Sequence, residues 1–457
     1  MSLDIQTWEK WYEEHREEIL EDFFQFLRFE SIGTDPNYRT QTRECAQWLS
    51  EYLSNIGLET TLWETSNQPV VFAQDLRAGK DRPTLMIYHH YDVQPVDPLD
   101  LWETPPFEPS IRKGKVFARG AQDNKGQCFY TVTALKAFYQ LAETRNFNLK
   151  IFIEGEEESG STGTKEAIEK HADDLKCDAM LCIDSSMFAE GVGAITLGIR
   201  GILTTELTLR TADSDMHSGG LGGIAYNPIR ALCTILSKCW DEEGKITIPH
   251  FYDAVDPLTD RDKQELDLEL DEEEMKRKFG LRALSPEPGY TIGQSVSVRP
   301  TFEINGIDGG YTGEGFKTVL PAMAKAKLSC RLVPSQNPEE IFQNLKAHLL
   351  SHLPKGIELE LELDQGSPAF RSSGDSMIAK LTTKAYEEVL GVPCKKMVIG
   401  GSIPIVADLS NVTGADVLVM GFGLDTDQIH APNEHFGLDR FKQGFLTIGQ
   451  IFKGLNE

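Results

Sequence analysis

Short apolar runs separated by helical stretches set the strongest limit on what this chain can fold into. From about residue 40 to 200, "CAQWLSEYLSNIG" has helical spacing, while "TTLWE", "VVFAQD" and "TLMIYH" read as strands. "QCFYTVTALKAFYQLAE" is helical again, followed by the strand-like "LKIFIEGEE", "AMLCIDS" and "AITLGIRG". Near-continuous apolar strands alternating with helices predict an α/β domain with a mostly parallel, buried sheet flanked by helices. The texture returns after about 370, in "DSMIAKLTTKAYEEVLG", "CKKMVIGGSIPI", "VLVMGFG" and "FKQGFLTIGQIFKGL".

The middle of the chain differs. "ILTTELTLRTA", "KAKLSCRLVP" and "GIELELELDQ" alternate like half-exposed antiparallel strands, and "PEEIFQNLKAHLLSHL" is an amphipathic helix between the last two. A chain of 457 residues exceeds one ordinary core. The expected organisation is a discontinuous larger domain, 1–200 and 366–457, interrupted by a smaller α+β domain at 201–365.

A formal net charge of -26 argues against nucleic acid and anionic membranes as partners. Part of it lies in "LTDRDKQELDLELDEEEMKRKFG", 258–280, which reads as an exposed, solvated helical segment. No stretch approaches the ~18 uninterrupted apolar residues of a membrane span. The N-terminus is charged and amphipathic, without a signal-peptide layout. Eight scattered cysteines with no CxxC pair favour reduced, packed thiols, and cytoplasmic residence is the expectation.

Open α/β sheets place reactive groups at the carboxyl ends of strands. "TLMIYH" ends at His90, and His90 and Asp92, two apart, share one strand face while His89 points the other way. A carboxylate beside an imidazole can fix its tautomer, as it does around metals. "LKIFIEGEE" runs into Glu157 and Glu158, "AMLCID" ends at Asp184, and "VLVMGFG" leads within ten residues to His430. Asp123 sits in a glycine-bracketed loop, "FARGAQDNKGQ", before a helix. Carboxylates and imidazoles converging on one sheet edge suit zinc, manganese or cobalt. One shared carboxylate can hold two ions ~3.5–4 Å apart around a water. Of the adjacent acids Glu157 and Glu158, strand geometry lets one bind metal while the other takes a proton.

These motifs resemble the two-metal peptidases and deacylases that include carnosinase-type dipeptidases, glutamate carboxypeptidase, acetylornithine deacetylase and succinyl-diaminopimelate desuccinylase. The family's His-x-Asp is similar to His90-Tyr91-Asp92, and its Arg-Gly-x-x-Asp-x-Lys-Gly to "RGAQDNKG". Its Glu-Gly-x-Glu-Glu-x-Gly-Ser is matched at 154–161, and its final His-x-x-Asn-Glu by "HAPNE". The resemblance implies His90, Asp123, Glu158, Asp184 and His430 as ligands of two divalent ions, with Asp123 bridging. It further implies Asp92 as the partner that orients His90, and Glu157 as general base. "DMHSGGLGG", "KTVLPAMAKAKLSCRLVPSQ" and "GGSIPI" resemble the carnosinase-like branch. They imply substrate contacts from His217, Thr318, Arg331 and Ser402, with His217 reaching the partner subunit of a homodimer formed through the smaller, lid domain. Ile399 and Asn124 depart from the family, each standing where an acid is common.

The implied activity is metal-dependent hydrolysis of an amide bond in dipeptides or small peptides bearing a free carboxylate. An N-acyl amino-acid deacylase would share every ligand, and a silent metal-binding scaffold need not retain Glu157. "GGYTGEGFKT", 309–318, lacks the adjacent Gly-Lys of a phosphate loop, because Phe316 separates Gly315 from Lys317. "SGGLGG" has no dinucleotide fingerprint. His348 and His352, four apart on a helix, are expected at the surface, and His435 fits no ligand position.

Overall fold

The computed structural model describes residues 3–266, 268–401 and 403–457. The chain divides into two compact units, Met1–Leu197 with Ser372–Met397 and Asp408–Glu457, and Gly198–Arg371 with Val398–Ala407. The segment 398–407 therefore clusters with the second unit, whereas the sequence pattern had assigned it to the larger domain.

The first unit is built on a mixed sheet. Four of its strands are β1 (Thr84–His90), β2 (Asn148–Glu154), β3 (Ala179–Ile183) and β4 (Asp416–Met420). The order runs Glu59–Trp63, Val70–Asp75, β2, β1, β3, β4, Ala194–Ile199. The pairs β1–β2, β1–β3 and β3–β4 are parallel, while Val70–Asp75 runs antiparallel to β2 and Ala194–Ile199 antiparallel to β4. Every residue of β2 and β3 is buried, which explains runs with no polar alternation. In register, His90 lies opposite Glu154, and Met420 opposite Ile183. All four parallel strands thus deliver their carboxyl ends to one edge.

Helix Lys125–Leu141 is buried on nearly all sides, as its weak amphipathicity requires. It packs between Ile5–Leu27 and the closing helix Leu438–Asn456. An aromatic cluster joins them, with Phe23 stacked on Phe129 and Trp11 on Phe445. The Lys125 ammonium donates to the carbonyls of Phe26 and Phe29, at 3.2 and 2.7 Å, where the first helix ends. The loop that precedes Lys125 is thereby tied to the core.

The second unit carries a four-stranded antiparallel sheet in the order Thr301–Gly309, Met323–Leu332, Gly201–Arg210, Glu358–Ser367. Gly201–Arg210 alternates buried and partly exposed residues along its length. Helices Pro228–Leu236 and Pro338–Ser351 cover the apolar face, packing Leu232, Ile235 and Leu345 against Leu207, Phe302 and Leu328. Each starts with an asparagine cap followed by proline, Asn227 and Asn337. Such a cap contributes about 1 kcal/mol.

Two expectations need correction here. His348 is buried, because it continues the stripe Ile341, Leu345, Leu349 on its helix, and its Nε2 lies 2.9 Å from the Lys238 carbonyl. The acidic segment 258–280 forms two short helices, Asp260–Glu265 and Glu272–Phe279, with Leu266 and Leu268 buried between them. Its charge is solvated and so is Leu270, but Leu266 and Leu268 are not. Among the described residues no helix is long and apolar enough to cross a membrane.

Candidate metal centre

The edge formed by β1–β4 gathers the five side chains expected as ligands, with Glu157 next to Glu158. His90 closes β1, Asp184 follows β3, and Glu157 and Glu158 sit on a single 3₁₀ turn after β2 rather than on a strand. Gly160, at φ +91°, ends that turn in a conformation that suits glycine. Asp123 comes from the loop before Lys125–Leu141, and His430 from the loop after β4.

Two groups of potential ligands form, His90 with Asp123 and Asp184, and Asp123 with Glu158 and His430, the donor atoms of each lying within 4.8 Å of one another. Asp123 belongs to both. Its Oδ1 lies 3.1 Å from His90 Nε2, and its Oδ2 lies 3.0 Å from His430 Nε2. Asp184 Oδ2 is 3.7 Å from His90 Nε2, and Glu158 Oε1 is 3.2 Å from His430 Nε2. Each imidazole nitrogen thus faces oxygens of two carboxylates, although one N–H satisfies one acceptor, and Glu158 Oε1 accepts no hydrogen bond. A divalent cation in each group would be met by a nitrogen and two oxygens at once. The donor set fits it.

The electrostatics carry the same sign. Burial alone would lower His90, but Asp184, Asp123 and Asp92 hold its proton affinity well above the usual imidazole range. The carboxylates of Asp123 and Glu158 beside it push His430 up to about 10. Burial, with Asp123 and Glu158 nearby, brings Asp184 up to about 6 against the pull of His90. Burial, with Asp184, Glu158 and Asp123 around it, also raises Glu157 well above the ordinary carboxylate value. Crowded acids of this kind mark a place that receives positive charge.

A supporting layer surrounds these groups. Asp92 is fully buried, with its Oδ1 3.3 Å and its carbonyl oxygen 3.1 Å from His90 Nδ1. Donation from Nδ1 to Asp92 leaves Nε2 as the nitrogen that faces Asp123 and Asp184 and that would meet an ion there. Asn124 donates to Asp184 Oδ1 and to the Ile183 carbonyl, both at 2.8 Å, and its own oxygen lies 2.7 Å from His89 Nδ1. Two acceptors on one side fix the amide's orientation, so His89 carries its proton on Nδ1. Gln94 donates to Glu158 Oε2 at 2.7 Å. Sequence reasoning did not find the roles of Asn124, Gln94 or Glu434, although Glu434 ends the "HAPNE" motif.

His217 is exposed on a two-stranded ribbon, Met216–His217 with Val319–Leu320, and its Nδ1 accepts from Gly219 N at 2.9 Å. Thr318 adjoins the ribbon, and its carbonyl accepts from Ser218 N at 3.0 Å. Arg331 is half-buried on Met323–Leu332, opposite Thr301 and Ile202. These three belong to the second unit. Ser402 lies outside the described residues.

Comparison with known proteins gives matches along nearly the whole chain. "Cys-Gly metallodipeptidase DUG1" of Candida albicans is 30% identical over 460 residues, which is 96% of this chain and 94% of that protein. The human "Beta-Ala-His dipeptidase" is 26% identical, covering 96% of this chain and 90% of its own. Among solved structures, the M20 family metallo-carboxypeptidase Sso-CP2 from Sulfolobus solfataricus superposes with a TM-score of 0.84 at 31% identity, covering 96% of this chain and 99% of its own. The model of one peptidase family matches residues 86–453, a span that takes in all five gathered side chains. The chain belongs to peptidase family M20/M25/M40.

Proposed function

We propose that this enzyme is a metallodipeptidase that hydrolyses the amide bond of dipeptides and other small peptides with a free carboxylate. The observation that carries the reading is Asp123, whose two oxygens serve two separate ligand groups at 3.1 and 3.0 Å. The dipeptidases named above, matched along their length, support this substrate class.

His90, Asp123 and Asp184 would hold one divalent ion, and Asp123, Glu158 and His430 the other. Zinc suits these donors, with manganese or cobalt as alternatives. When bound, such a pair supplies Lewis acidity that polarises the scissile carbonyl and lowers the pKa of a water. The other steps fall to the chain. Glu157, beside the ligand Glu158 yet absent from both groups, takes the proton of the attacking water and returns it to the leaving amine. Its raised proton affinity suits that exchange. Asp92 keeps His90 in the ligating tautomer.

His217 would stabilise the developing oxyanion, and Thr318, Arg331 and Ser402 would bind substrate, with Arg331 and Ser402 on its carboxylate. We read the second unit as a lid and as the interface of a homodimer in which His217 serves the partner's site. Exposed Ile224, Tyr226, Tyr311 and Phe316 on the loops flanking the ribbon support an interface there. All eight cysteines are free thiols, which supports a reducing, cytoplasmic setting.

The test is a substrate panel run on protein loaded with zinc, manganese or cobalt. Dipeptides should be cleaved, and the same peptides with an amidated C-terminus should be poor substrates. Preferential cleavage of acetyl- or succinyl-amino acids would assign a deacylase instead.

A further inference from the structure

Glu434 is fully buried, and its one carboxylate gathers four donors from a single loop. Its Oε2 accepts from Arg119 Nη1 and Gly120 N, both at 2.8 Å, and its Oε1 from Gln122 N and Asp123 N, both at 3.0 Å. The main chain leads into this arrangement. His435 pairs with Phe117 in a short antiparallel ladder, and Ala118 N then donates to the Glu434 carbonyl at 3.2 Å. Where the ladder stops, the side chain takes over as acceptor. Backbone N–H groups converging in this way form a nest that fits an anion.

The loop so held carries Asp123, and the segment that holds it carries His430 four residues earlier. Only the backbone N–H of Asp123 enters the clamp, so both its carboxylate oxygens stay turned to His90 and His430. Gly120, at φ +80°, makes the turn, and a Cβ there would come within 2.7 Å of Val93.

We propose that Glu434 is a positioning residue that holds the Asp123 loop in its ligating conformation before any metal arrives. Ion binding then need not order the loop, whose conformational entropy would otherwise oppose it. The inference rests on Asp123 being a ligand, as proposed above, but not on peptide hydrolysis.

Two measurements on the full chain test it. In hydrogen–deuterium exchange, the amides of Gly120, Gln122 and Asp123 should be equally protected in metal-free and Co²⁺-loaded protein. Fast exchange of these amides in the metal-free protein would overturn the proposal. In Co²⁺ titration followed by visible absorption, Glu434→Gln should bind about ten-fold or more weakly, with altered d–d bands, because its amide turns N–H groups toward donors. Arg119→Met removes the guanidinium but leaves three backbone donors on the carboxylate. It should lower the thermal midpoint and keep the wild-type spectrum. Wild-type affinity and spectrum in Glu434→Gln would reduce Glu434 to a packing role. If that variant does not fold, the exchange experiment decides. Protein that binds Co²⁺ as expected but cleaves no peptide would refute the dipeptidase reading and leave this one intact.

Discussion

The carboxylate of Asp92 holds Glu157 through its backbone, with Oδ1 accepting from Glu157 N at 3.2 Å. Its Oδ2 accepts from Glu158 N at 3.1 Å, while Oδ1 also lies 3.3 Å from His90 Nδ1. One buried side chain therefore aligns the His90 imidazole and the turn carrying both acids. Asp92→Ala should lower metal affinity or kcat by about 10–100-fold. Calorimetric metal titration, run beside kcat with metal in excess, separates the two losses. A variant unchanged in both would remove Asp92 from the machinery.

Glu157 is the proposed proton carrier, and it belongs to neither ligand group. Glu157→Gln should retain both ions by elemental analysis and lose about 10²–10⁴-fold in kcat, the range for a positioned general base. Hydrolysis at the wild-type rate with metal content intact would mean that the base lies elsewhere.

Because Asp123 is common to both groups, its loss should differ in kind from the loss of its neighbours. Asp123→Ala should fail to retain either ion firmly. Asp184→Ala and Glu158→Ala should each retain about one, since each removes a ligand of a single group. Metal content after exhaustive dialysis, measured per chain, checks this. Two ions bound to Asp123→Ala would refute the shared-ligand arrangement.

Glu154, fully buried at the end of β2, accepts from the Tyr88 hydroxyl at 2.7 Å. Burial pushes its carboxyl from an ordinary value of 4.5 up to about 7. Below pH 4.5 the folded and unfolded chains both hold this proton, and its stabilising contribution is complete. As pH rises from 4.5 towards 7 the folded chain keeps a proton that the unfolded chain has released, and that contribution is lost by the time the folded carboxyl ionises. The loss amounts to about 3 kcal/mol by pH 8. Glu154→Gln removes this titration, so its stability relative to the parent should climb by roughly that amount between pH 4 and pH 8. Urea denaturation of metal-free protein at the two pH values measures it, and a pH-independent difference would contradict the assignment.

The gathering of side chains was legible wherever a strand end carried them. His90, Asp184 and the paired glutamates each follow an apolar run whose parallel neighbours force their carboxyl ends to one edge. Longer-range placement left weaker traces. Glu434 acts on backbone N–H groups more than 300 residues away, and contacts of that kind produce no periodicity and demand no particular residue type on the receiving loop. Asn124 looked like a simple departure from an acid, and only the geometry shows its amide fitting two acceptors and one donor. The inward face of His348 was written in the spacing of Ile341, Leu345 and Leu349, but a pair of histidines four apart drew attention to the wrong property. Val398–Ala407 clusters with the second unit although its local pattern resembles the first.

The order in which the pieces are synthesised has its own consequence. β4 is an interior strand of the sheet, yet it is supplied by Asp416–Met420, more than 230 residues after its neighbour β3 begins. His430 and the clamp at Glu434 come later still. A ribosome must therefore pass residue 430 before either the sheet or the second candidate ligand group can close. Until then a nascent chain has His90, Asp123 and Asp184 but no completed pair, so the ability to cut peptides waits on the same late segment that completes the sheet.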